Sequence, residues 1–207
     1  MKIFDKKLNT IENHITGAYR AIWQLYLEHG AEWQKVNVFG IRDEQNMNQD
    51  LFNDFICIAT TDEVHLFKGT CDPSVYWTQV GGAAKDKKGV AHICYGYHKN
   101  VYREGWHFNQ YALVQRAGKI KIWRDGNNNF RKDNSDIIQT GYFGVNIHTT
   151  SGEPSKIGMW SAGCQVIQRK KDFAKFMQII KVSGQKKFSY FLFSKNQIPQ
   201  DFWREFS

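Results

Sequence analysis

Proline is scarce in this 207-residue chain, with 3 in all, and no Gly-X-Y period occurs, so collagen-like and proline-rich disordered classes are excluded. Nowhere do about 18 apolar residues run together, the minimum for a membrane-crossing helix. The opening residues, MKIFDKKLNTIENHITGAYRAIW, lack the continuous apolar core of a secretory leader. The expectation is therefore no signal peptide and no transmembrane segment, with synthesis in the cytoplasm. Cysteine is also sparse: Cys57, Cys71, Cys94 and Cys164 form no C-x-x-C pair, and zinc-site spacing is absent. H-x-x-x-H pairs are missing, and His14, His29, His65, His92 and His98 show no ligand spacing. No metal and no cofactor are expected. Repeats and low-complexity tracts are absent as well.

What the chain does contain is core material: 42% hydrophobic and 15% aromatic residues, enough for one globular domain. Lys and Arg number 28 against 20 Asp and Glu, a formal charge of +8. That balance suits a polyanionic partner such as nucleic acid, an anionic membrane or an acid-bearing cell wall, and equally suits a solvated surface. The cations are scattered, densest at KDKK (85–88) and RKK (169–171). No nucleic-acid motif accompanies them, so no specific nucleic acid is expected.

Apolar residues at Leu8, Ile11, Ile15, Ala18, Tyr19, Ile22, Leu25 and Tyr26 recur with helical spacing, and Gly30 is a natural stop. Residues 1–36 read as an accessory amphipathic helical appendage and 37–207 as the main domain. From Asn37 onward short β-branched and aromatic runs predict strands at VNVFGI, DFICIAT and EVHLFKGT, with Thr61-Asp62 a tight connection between the last two. Residues 69–90 read as a loop with a turn at Asp72-Pro73. YALVQR and KIKIWRD, joined across Ala117-Gly118, predict a hairpin, and DGNNNFRKDNSD a polar loop. FGVNIH is predicted as the strand that delivers His148. Asp172 is predicted to cap a helix over 173–183 that stops at Gly184, and KFSYFLF to be the last strand. The sum is a mainly β domain with a few helices, of the α+β class. Cys57 reads as a buried hydrophobe, and Cys71 and Cys94 pair only if the fold brings them together.

The chemistry concentrates in GYFGVNIHTTSGEPSKIGMWSAGCQVI, residues 141–167. His148 ends an apolar run, and Cys164 follows inside Ser161-Ala162-Gly163-Cys164. A nucleophilic thiolate needs substrate access and backbone N–H groups aimed at the oxyanion; small residues before the cysteine keep side chains out of both. A neutral histidine within reach takes the thiol proton, and the resulting ion pair favours thiolate. Gly163, Ala162 and Cys164 supply candidate oxyanion N–H groups.

The pattern I-H-x-T, a dozen residues rich in Gly, Pro and Ser, then S-x-G-C resembles the catalytic signature of the L,D-transpeptidase family of the YkuD type. His148, Thr150, Ser161, Gly163 and Cys164 fall on family positions. Thr149 stands where the family has Gly, Ala162 where it has a basic residue or His, and Val166 where it has Arg. The longer strings GYFGVNIH and WSAGCQV are similar to a phage and prophage branch. The close match covers about thirty residues, with weaker similarity from Val38 to Phe193.

The resemblance implies a mixed β-sheet catalytic domain and a cysteine peptidase or acyltransferase acting on peptidoglycan stem peptides. Cys164 would attack the carbonyl of the third stem residue, His148 would be the base, and the Thr149 carbonyl would orient its ring. Candidate substrate residues are Tyr142, Asn146, Trp160, Ser161, His107 and Arg124, the last in place of the missing family Arg. With no leader in view, the expected role is hydrolytic and endolysin-like, acting at the wall after release. A cross-linking transpeptidase and a non-catalytic wall- or nucleic-acid-binding module remain as alternatives.

Overall fold

The fold is taken from a computed structural model, which describes residues 17–61, 63–80 and 88–207. It is a mixed α+β structure, mostly strand. Eight strands close into a barrel in the order β1-β11-β5-β6-β9-β10-β3-β2, and a three-stranded sheet, β4-β7-β8, stands beside it. The barrel strands are β1 (Asn37–Arg42), β2 (Asp54–Ala59), β3 (Val64–Thr70), β5 (Gly96–His107), β6 (Gln110–Val114), β9 (Ile147–Thr149), β10 (Gln165–Ile167) and β11 (Phe188–Ser194); β4 (Val90–Ile93), β7 (Ile120–Asp125) and β8 (Ile137–Gly141) form the smaller sheet. The β1–β11 and β9–β10 pairings are parallel.

Alternation along β1, β2 and β11 explains why the two large hydrophobic clusters lie on opposite faces of these strands. Val38, Ile56, Ile58, Tyr190 and Leu192 point to the barrel interior, while Phe39, Cys57, Phe191 and Phe193 point to the opposite face. Helix α1 (Gly17–Glu28) covers that outer face with Ala18, Ile22 and Tyr26. Tyr26 touches the rings of Phe191, Trp33 and Tyr97, and Phe202, from the C-terminal helix α4 (Gln200–Trp203), joins the same cluster. Helix α1 thus closes the second of three hydrophobic clusters among the described residues, the smallest being Phe52, Ile157 and Val166. The part predicted over residues 8–16 lies outside the described residues, as do Asp62 and most of KDKK.

Three expectations are corrected. YALVQR and KIKIWRD are not a hairpin: β6 pairs with β5 and β9, whereas β7 pairs with β4 and β8 in the other sheet. The turn between them folds back on β5, where a Cβ on Gly118 would lie 2.7 Å from the Asn100 carbonyl oxygen. The polar loop over 69–90 holds a short helix, α2 (Val75–Gln79), whose first turn is capped by the Ser74 side chain. Helix α3 (Lys170–Ser183) starts at Arg169 rather than Asp172, which lies in its first turn and accepts from Arg169 Nε at 2.7 Å; Gly184, at φ 67°, ends it. The four cysteines are all free, so Cys71 and Cys94 do not pair.

Candidate active site

Strands β9 and β10 lie side by side and parallel, with His148 opposite Val166 and Ile147 opposite Gln165. Cys164 stands one residue before β10, where the Gln165 N–H binds the Asn146 carbonyl at 2.8 Å. The backbone ladder therefore sets the Cys164 thiol beside the histidine. The expected strand from Phe143 is shorter than predicted, because 142–146 have no regular ladder; β9 covers only Ile147–Thr149. A buried glutamine replaces it. Gln115, 1% exposed, accepts from Phe143 N (2.7 Å) and Gly144 N (3.0 Å) and donates to the Gly118 and Gly141 carbonyls. The Tyr102 hydroxyl holds the Val145 carbonyl at 2.8 Å.

His148 Nδ1 lies 3.1 Å from the Thr149 carbonyl oxygen, so Nδ1 carries the proton and Nε2 keeps its lone pair. Thr149 is itself clamped: its N–H donates to Gln110 Oε1 (2.9 Å), and its hydroxyl to the Ile167 carbonyl (2.6 Å). His148 Nε2 is buried without a hydrogen-bond partner. A nitrogen of His148, a nitrogen of His107 and the Cys164 sulfur lie within 4.8 Å of one another. The thiol points toward the Gly144 carbonyl at 3.4 Å.

Burial dominates both titrations. It pushes the Cys164 thiol up to about 11, an effect the Asn146 backbone N–H only partly offsets. It draws His148 down to about 4, against the pull of the Thr149 and Trp160 carbonyls and with a further push from His107. Both shifts favour the neutral thiol and the neutral imidazole at pH 7.

Around the pair opens a cleft of about 700 Å³, whose lining includes Tyr142, Trp160, His107, Arg124, Ala162 and Gly163. Phe108, 88% exposed, and Met159, 66% exposed, stand at its rim. Ser161 is not on that surface. It is fully buried beneath the loop, its hydroxyl between the Asp72 (2.8 Å) and Cys164 (2.7 Å) carbonyls. The Gly163 N–H donates to the Ser161 hydroxyl at 3.2 Å, which takes it out of the expected oxyanion set. Gly163 is irreplaceable for another reason: at φ 134° a Cβ would meet the Ala91 carbonyl oxygen at 2.6 Å. Arg124 spends Nε on Gln139 Oε1 and Nη1 on the Gly89 carbonyl, and its guanidinium lies over the Phe143 ring; those donors serve the cleft wall.

Asn146 settles the role of His107. The Gln115 N–H donates to Asn146 Oδ1 (2.8 Å), which turns the amide nitrogen toward His107 Nδ1 at 2.9 Å. An amide NH₂ only donates, so Nδ1 accepts and the proton sits on Nε2. His107 presents no spare lone pair in this arrangement, so it is a poor metal ligand despite the convergence with His148 and Cys164.

Under the loop that carries Ser161–Cys164 runs a buried ionic cluster that the sequence reading missed. Arg42, 1% exposed, donates to the Ile93 (3.0 Å) and Cys71 (2.9 Å) carbonyls and places Nε 2.9 Å from Asp72 Oδ1, although that N–H is poorly aimed. Asp72 also meets His92 Nδ1 at 3.0 Å, and His92 stacks on Trp123. Gln165 ties the loop to the cluster through the Cys71 carbonyl and accepts from Tyr190 at 2.8 Å.

No protein family, curated protein or solved structure matches this chain. No helix among the described residues is long and apolar enough to cross a membrane.

Proposed function

We propose that this protein is a cysteine-dependent enzyme that cleaves peptidoglycan stem peptides through a thioester on Cys164. The observation that carries the reading is His148 Nε2: a buried nitrogen without a hydrogen-bond partner beside the half-buried Cys164 thiol, with the other ring nitrogen committed to the Thr149 carbonyl. A buried polar atom left unpaired costs stability, and its use is as a base.

The chemistry follows from the neutral pair. As the sulfur attacks the amide carbon, its proton passes to Nε2 and the C–S bond forms. The oxyanion collapses, the C–N bond breaks, and the imidazolium gives its proton to the departing amine. Water then attacks the thioester with His148 again as base, which regenerates the thiol. The Ala162 and Cys164 N–H groups are the proposed oxyanion donors. Exposed Phe108, Tyr142 and Met159 suit an extended substrate lying across the cleft.

Digestion of purified peptidoglycan with mass spectrometry of the products tests this. Release of D-Ala or separated stem peptides, lost in Cys164→Ala, supports it; new cross-links in place of free acids would assign the transpeptidase alternative. Intact peptidoglycan from both proteins would leave only a binding module. The expected activity survives EDTA; inhibition restored by zinc would instead assign a metal centre to His107, His148 and Cys164.

A further inference from the structure

A second cavity, of about 720 Å³, lies on the far side of the β4-β7-β8 sheet from the catalytic cleft. Alternation along β7 makes the division: Lys121 and Trp123 face the second cavity, whereas Arg124 faces the cleft. The lining is strongly cationic. Lys121, Arg131 and Lys132 reach it against one carboxylate, Glu44, and that carboxylate is hydrogen-bonded to the Tyr95 hydroxyl. Buried Arg42 forms part of the base, with its guanidinium 5.1 Å from the Tyr95 ring centroid.

The loop that brings two of these cations is held by its own backbone. Asp125, fully buried, accepts from the Asn129 N–H (3.1 Å) and the Phe130 N–H (3.0 Å). Phe130 is held at φ 60°, a left-handed conformation that a bulky residue adopts only under strain. Asp133 gathers the Asn127 and Asn129 amides and the Ser135 hydroxyl, not the neighbouring cations. Arg131 and Lys132 thus project from a clipped and strained loop rather than from a random surface. Cys94 marks where the charges converge: burial raises its thiol, and Lys121, Arg42 and Lys132 pull it back down.

We propose that this cavity is a binding site for a soluble, multiply charged phosphate ester or diphosphate. Three cations against one carboxylate around one recess match a ligand carrying two or more charges on clustered oxygens, for which guanidinium and ammonium donors are suited. A cavity of this volume is in the range of small-molecule sites rather than of flat polymer-binding faces. The site is independent of the thiol chemistry on the other side of the sheet.

Calorimetric titration of the full chain with inorganic pyrophosphate at low ionic strength tests the proposal, with succinate at equal charge concentration as the carboxylate control. Saturable binding of one pyrophosphate is expected, weakened about tenfold or more in Lys121→Gln/Arg131→Gln/Lys132→Gln and unchanged in Cys164→Ala. Thermal melts of the triple variant guard against a folding defect, and slower maleimide labelling of Cys94 than of Cys164 under pyrophosphate locates the ligand. Absence of binding, equal affinity for succinate, or binding unaffected by the triple substitution would overturn it. So would an interaction seen only with phosphatidylglycerol vesicles, which would assign these cations to a membrane surface.

Discussion

At Cys164 and His148 burial sets the two proton affinities far apart, the thiol at about 11 and the imidazole at about 4. Between those limits the neutral pair dominates, so kcat/KM for stem-peptide cleavage should be flat from about pH 5 to pH 10. A pH–rate profile with an inflection near the ordinary imidazole value of about 6.5 would show that the site charges as an exposed histidine does. Iodoacetamide should modify Cys164 slowly at pH 7 and faster as pH climbs. The same burial makes His148 a stability determinant. Its folded-state value lies below the unfolded one, so the unfolded chain takes up the proton first as pH falls. The stability it leaves in place above about pH 6.5 is lost as pH drops toward 4, with about 2 kcal/mol gone by pH 5. Urea unfolding at pH 7 and pH 5 should show that loss in the wild type and less of it in His148→Gln. Activity should vanish in Cys164→Ala and His148→Ala alike, and the double variant should be scarcely worse, since groups that act as one unit are not additive.

Helix α1 and the segment 141–146 show what an element contributes. Ile22 is fully buried between the helix and the outer barrel face, so Ile22→Ala should cost about 2–5 kcal/mol in urea unfolding; a loss below about 1 kcal/mol would make the helix a loosely attached accessory after all. Gln115→Leu strands four part-buried backbone groups around residues 118 and 141–144, each costing up to about 1 kcal/mol, below the full penalty of a wholly buried group because water reaches them in part. It should therefore lower both stability and turnover, because the same segment positions His148; normal turnover in that variant would detach the two. Strands β1, β2, β3 and β11 were legible because apolar residues repeat along them, and the pairing of Cys164 with His148 in space because small residues and spacing surround them. Gln115, Gln110 and Arg42 were not legible: a polar side chain acquires its role only from carbonyls that the fold brings from distant segments. The false hairpin has a similar cause, since Ala117-Gly118 satisfies local turn chemistry while the partners of β6 and β7 are chosen by the sheets.

For the whole molecule the decisive fact is strand order. β11 stands between β1 and β5 and closes the barrel with a parallel pairing to the first strand. Ending the chain before Phe188 should abolish cooperative unfolding altogether; a truncated protein that still melted sharply would show that the remaining strands suffice. Pairings of such long sequence separation also make folding slow, in the millisecond-to-second range typical of non-local β topologies. During synthesis the consequence is temporal. With emergence at about 5–20 residues per second, β11 leaves the ribosome roughly 7–30 seconds after β1, its parallel partner. Until β11 arrives, the paired strands β1 and β2 keep an open edge along Val38–Arg42, a row of unpaired backbone groups that is a template for wrong pairing.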